Sequence, residues 1–123
     1  MTIMEIINHL DAVKPNSYSQ DEKIKWLNQV EWMIKKEIVD THEGAEKHPF
    51  NGYTMGSLMK SVIAPPPYDK LYVHWLEAQI DYANGEYSKY NNSITMFNAS
   101  YGEFAKWYNR EHMPLSHGGW KHW

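Results

Sequence analysis

Apolar residues fall at helical spacing in four separate stretches of this chain. Ile3, Ile6, Ile7, Leu10 and Val13 share one face, and Pro15 stands just beyond, which predicts a first helix over about 2–13. The turn-rich segment KPNSYS follows. Ser19 with Glu22 three residues later reads as a capping box, the serine oxygen accepting from the third helical N–H and the glutamate reaching back. Behind it Leu27, Val30, Ile34 and Ile38 form one stripe beside Trp26 and Met33, predicting a second helix over about 20–40.

Residues 41–67 break the period. THEGAEKHPFNGY is polar and punctuated by Gly44, Pro49 and Gly52, a loop by composition. Two short apolar pieces follow, Leu58–Met59 and Val62–Ile63, closed by Pro65, Pro66 and Pro67. Consecutive prolines favour an extended polyproline rod and forbid helix before them. Residues 57–64 therefore read as a short β arm within a long loop at 41–67.

The period then returns. Leu71, Tyr72, Trp75, Leu76 and Ile80 predict a third helix over about 69–84, ending at Asn84–Gly85, where glycine suits a left-handed cap. Tyr87, Tyr90, Ile94, Phe97, Tyr101, Phe104 and Tyr108 then advance by alternating steps of three and four, a heptad seam that no strand reproduces. This predicts a fourth helix over 87–111. The fold class is mainly α: a single four-helix domain over 1–113 with a C-terminal αα-hairpin, then an extended tail at 114–123.

Composition adds one bias. Aromatic residues make up 15% of the 123, with six Trp and nine Tyr against three Phe. Trp and Tyr carry a polar handle, so they gather at interfaces as well as in cores. The chain has no cysteine, which excludes thiolate chemistry, disulfides and cysteine-ligated zinc. Its net charge of −3 lacks the positive field of a nucleic-acid binder. The opening MTIMEIINHLDAV has no basic segment of a signal peptide, and no apolar run reaches bilayer length. The chain reads as soluble, with no membrane partner and no sequence-specific nucleic acid.

Candidate chemistry is sparse. The aromatic seam could form a ligand groove, but packing against the third helix explains the same spacing and is the preferred reading. His74, Glu77 and Asp81 lie one turn apart on a shared face and make the best metal candidate, but an HxxE pair on a helix is common and a zinc site needs a third and fourth ligand with supporting contacts. The acids, Glu31 among them, read as spread over polar faces, with none in an apolar setting that would raise a pKa. Lys106–Trp107–Tyr108–Asn109–Arg110 mixes charge and rings as single strands require, yet Glu103 and Glu111 flank it. No glycine pattern cradles phosphate and no serine sits in a nucleophile elbow. The residues point away from an enzyme and call for no cofactor.

The stretch APPPYDKLYVHWLEAQIDYANGEYSKYNNSITMFNASYGEFAKWYNR resembles small structural proteins encoded among the head and neck genes of tailed bacteriophages and prophages of Firmicutes. PPYDKLY opening a helix, the IDYANGEYSKYNNS tip and FAKWYNR closing the hairpin carry the resemblance, over about the C-terminal half. The layout is similar to the head–tail connector (adaptor) class, whose small helical bundles assemble as a ring beneath the portal. That resemblance implies a virion protein assembled in the bacterial host cytoplasm. Its partners would be copies of itself, the portal and other head or neck proteins, and it would have no catalytic residue. The chain departs from the layout in its 41–67 insertion and its His/Trp-rich tail. Those two segments are the expected contact elements, through Phe50, Tyr53, Leu58, Met59, Val62 and Ile63 of the arm and Trp120 and Trp123 of the tail, tryptophan being the commonest interface anchor. Two other readings are a small monomeric regulatory module gripping a partner in the hairpin groove, and a metal-dependent enzyme built on His74, Glu77 and Asp81.

Overall fold

The computed structural model of the chain describes residues 1–115. Trp120 and Trp123, with most of the expected tail, lie outside the described residues. Among these the architecture is four helices, α1 (Ile3–Val13), α2 (Gln20–Glu37), α3 (Lys70–Ala83) and α4 (Tyr87–Glu111), with three short 3-10 turns between α2 and α3 and no strand. No helix among them is long and apolar enough to cross a membrane.

The helix starts differ from expectation in an instructive way. Ser19 Oγ accepts from Glu22 N–H at 3.1 Å, but Glu22 does not reach back and instead lies 4.0 Å from Lys25. The full box is at α1. There Thr2 Oγ1 accepts from Glu5 N–H, and Glu5 Oε1 accepts from Thr2 N–H at 2.8 Å. At its far end α2 is α-helical only to Glu37, and Val39–Thr41 tighten into a 3-10 turn. The Thr41 hydroxyl promotes this by donating to Ile38 O at 2.8 Å, supplying a carbonyl that a longer helix would have used.

Residues 41–67 are neither a strand nor a free arm. Ser61 makes one isolated antiparallel bridge with Thr2, and the rest of the contact is helix capping. Ile3 N–H donates to Lys60 O and Met4 N–H to Leu58 O, so loop carbonyls satisfy first-turn donors of α1 that have no partner within the helix. A helix end offers no ladder, so the pairing stops after one residue. The prolines do not form a rod either: Tyr68 N–H donates to Pro65 O at 2.8 Å across a turn.

α3 and α4 pack along each other in antiparallel register. Tyr68 stacks on Trp107, Lys70 faces Glu103, Trp75 meets Phe97 and Asp81 meets Ser93. The connection is a Schellman cap: Glu86 N–H donates to Asp81 O and Gly85 N–H to Tyr82 O, with Gly85 at φ +73°. Ile3, Ile6, Ile7 and Leu10 from α1 and Leu27, Val30 and Ile34 from α2 close over Leu71, Tyr72, Leu76 and Ile80 of α3 to make the core. The Trp75 indole N–H donates to Trp26 O at 2.9 Å and pins α3 to α2.

Candidate functional site

The loop residues expected to reach neighbours are largely spent on the protein's own interior. Phe50, Tyr53 and Val62 are buried core residues, and Leu58 and Ile63 are half-buried against that core. Met59 alone of the six stands free, 78% exposed.

What fixes the loop is Glu31. Its side chain is fully buried, contrary to the expectation that the acids line polar faces. Oε2 accepts from Tyr53 Oη (2.5 Å) and from Ile63 N–H (3.0 Å), and Oε1 accepts from Tyr72 Oη (2.6 Å). The Tyr72 oxygen in turn accepts from Ala64 N–H. One carboxyl therefore ties α2, α3 and both ends of the second half of the loop. Burial pushes its pKa above the ordinary carboxylate value, against the hydrogen bonds from Tyr53, Tyr72 and Ile63, which pull it down. Burial likewise raises both tyrosines, and the neighbouring Glu31 charge adds to it. Every oxygen of this carboxyl faces a donor from the protein itself, an arrangement that builds structure. The signal was in the sequence: Glu31 is four residues after Leu27 and three before Ile34, on the apolar stripe.

The three candidate metal ligands do not converge. His74 Nδ1 lies 3.1 Å from Glu77 Oε1, while Asp81 is fully buried and bonded to Lys14 Nζ (2.8 Å) and Ser93 Oγ (2.7 Å). Among the described residues no group of three or more His, Asp or Glu side chains is placed to hold a metal ion. An open cleft of about 380 Å³ sits where the chain leaves α4, lined by Glu43, Glu46, Lys47, His48, Glu111 and His112. His48 is held below its ordinary pKa by partial burial first, then by His112, Lys35 and Lys47. Its walls are mixed charges on a polar surface.

The aromatic seam of α4 divides in two. Phe97, Phe104 and Tyr108 are buried, as core packing requires, and Tyr108 is sandwiched by His42 edge-on and His112 stacked at 3.8 Å. Toward the hairpin tip the seam comes into solvent. Tyr87 is 60% exposed, Tyr90 is half-buried, and Tyr82 from α3, also 60% exposed, packs edge-on against both at 5.7 and 5.4 Å. Among the described residues no third helix covers them.

This tip is held firmly. Lys14 and Ser93 bracket Asp81 beneath it, Tyr18 Oη donates to Asn84 Oδ1 at 2.5 Å, and the Schellman cap fixes the turn. Three tyrosines are thus displayed on a braced corner, the type of side chain that supplies large contact area at small entropic cost. Periodicity alone hid this patch, because it cannot tell a seam with a third element over it from one without. The local signal is the flanks. Ser88, Lys89, Asn91 and Asn92 surround Tyr87 and Tyr90, whereas Ala105 and Trp107 widen the buried end. No family model, no curated protein and no solved structure matches this chain.

Proposed function

We propose that the protein is a structural component of a tailed-bacteriophage or prophage particle, a head–tail connector that works by ring assembly and protein–protein contact. The resemblance of the C-terminal half supplies the class. The braced tyrosine corner, with Tyr82 and Tyr87 largely exposed beside the half-buried Tyr90, is the observation that carries the assembly reading, since contiguous aromatic surface left in water is the kind that protein–protein contacts use. The groove-binding alternative draws no support from the seam, whose deeper half is filled by Phe97, Phe104 and Tyr108. The contact surface is accordingly assigned to the hairpin tip and the tail, and the 41–67 loop becomes part of the rigid body.

Sedimentation and light scattering of the full chain, alone and mixed with portal and other head or neck proteins of the same particle, test this. Ring-sized species, free or formed on the portal, are expected. A strict monomer that joins none of these partners would sink the reading.

A further inference from the structure

The tyrosine corner is at the start of α4, and the chain runs on toward residues 116–123 from the other end of that helix. The chain leaves the helix beside α2: Glu43 N–H donates to Met113 O, Leu115 N–H donates to Thr41 O, and the adjoining His42 ring packs on Tyr108. From Tyr108 back to Tyr87 is 21 residues of continuous helix, a rise of about 31 Å. Trp123 is eight residues beyond Leu115, which spans at most about 29 Å of fully extended backbone. Tyr90 is only 18 residues before Tyr108, about 27 Å, so Trp123 draws level with it if the backbone runs straight along α4. Trp120, five residues beyond Leu115, spans at most about 18 Å, so the two tryptophans cannot seat together on their own tip.

We infer that the 116–123 segment of one copy docks on the Tyr82–Tyr87–Tyr90 corner of the next, so that copies join head to tail through Trp120 and Trp123. This rests on the assembly reading above and specifies its contact. The chemistry is matched. Three edge-packed phenol rings offer faces and hydroxyl oxygens, and two indoles offer faces and N–H donors, a pairing of aromatic anchors usual at interface centres. Lys121 lies between the tryptophans in SHGGWKHW, and a lysine ammonium over a tyrosine face adds attraction. Because tip and tail are different surfaces, the contact is heterologous. It generates a ring when the rotation per subunit closes and a filament when it does not.

The competing occupant is the protein's own polar cleft, which opens beside Leu115 and is within easy reach of the tail. Glu43, Glu46 and Glu111 there could attract His117, Lys121 and His122. The only rings the cleft offers are the imidazoles of His48 and His112, set among charges beside Met113, whereas the tip offers three phenol rings, so the tip is the better seat for them.

The absence of native cysteine allows a direct test in the full chain. One variant carries Ala83→Cys at the tip with His122→Cys in the tail, leaving all three tyrosines and both tryptophans in place. A second carries Glu46→Cys in the cleft with His122→Cys. Each is oxidised at high protein concentration and run without reductant. The first is expected to give a ladder of covalent dimers and larger species, the second to stay reduced. Adding Tyr87→Ala or Trp123→Ala to the first variant abolishes the ladder while its thermal melt is unchanged. A disulfide closed within one Glu46→Cys chain overturns the inference by seating the tail in its own cleft. So does a first variant that stays reduced, closes within the monomer, or keeps its ladder after Tyr87→Ala. If the ladder is absent but the native chain still assembles with portal, only this contact falls and the assembly reading stands.

Discussion

The Tyr72 hydroxyl donates to Glu31 Oε1 at 2.6 Å, joining residues 41 positions apart inside the core. Through the same carboxyl Tyr53 and Ile63 are held, so the loop between α2 and α3 is as much part of the body as the helices are.

Removing that carboxyl should be costly. Glu31→Ala leaves the Tyr53 and Tyr72 hydroxyls and the Ile63 N–H buried without an acceptor, at about 1–3 kcal/mol each. A loss of at least about 3 kcal/mol is expected in urea unfolding. Glu31→Gln, which keeps an acceptor and the shape, should lose far less. The pH dependence has a definite sign. Because the folded pKa is raised above the ordinary 4.5, the stability linked to Glu31 is fully present below 4.5 and declines as pH rises through the higher folded value. Glu31→Gln should flatten that decline in melts run from about pH 4 upward. An identical profile in the variant would show that Glu31 is not the titrating group.

The Lys14–Asp81 pair predicts an asymmetry. The Asp81 side chain is 1% exposed and the Lys14 side chain 23%. Lys14→Ala strands a buried charge and should cost about 3 kcal/mol, whereas Asp81→Ala frees a lysine that can turn to water and should cost about half that. Chemical denaturation of the two variants checks the order, and the reverse order would contradict it.

Tyr108 makes the opposite kind of prediction. Its hydroxyl is buried without a hydrogen-bond partner among the described residues, while its ring is held by His42, His112 and Phe104. Tyr108→Phe keeps the ring contacts and removes an unsatisfied polar group, so it should stabilise by about 1 kcal/mol, read as a raised Tm. Loss of stability would mean that the oxygen has a partner after all.

Helix positions and the hairpin turn were legible because they are local. The period of α4, the proline after α1 and the Asn84–Gly85 stop each depend on neighbours in sequence. The fate of residues 41–67 was not legible, because it is decided at long range. Loop carbonyls at 58 and 60 cap α1, and a charged residue within the α2 stripe binds the far side of the loop. Isolated apolar pairs such as Val62–Ile63 look alike whether they meet a strand, a neighbour or the core. The tyrosine corner was half legible: the seam was visible, but which end of it is buried was not.

The two glycines of the hairpin should respond in opposite directions. Gly85 sits at φ +73°, so Gly85→Ala is strained although nothing crowds its Cβ, and should cost about 1 kcal/mol. Gly102 lies inside α4 with open space around its Cβ, so Gly102→Ala should stabilise by up to about 1 kcal/mol through helix propensity. Thermal unfolding of both variants measures the difference.

The divided seam yields the most discriminating pair. Phe104 is fully buried and touches Tyr68, Trp107 and Tyr108, so Phe104→Ala should cost about 3–5 kcal/mol and leave a chain that melts early. Tyr87 is on the same seam, seventeen residues earlier, and still 60% exposed. Tyr87→Ala should change monomer stability by no more than about 0.5 kcal/mol. If the tip is the assembly surface, the same change should abolish higher-order species in light scattering and co-assembly with portal. Stability and assembly then separate along one helix, the first lost at Phe104 and the second at Tyr87. A Tyr87→Ala chain that melts normally and assembles normally would remove the tip from the function, while one that melts early would return the whole seam to core packing.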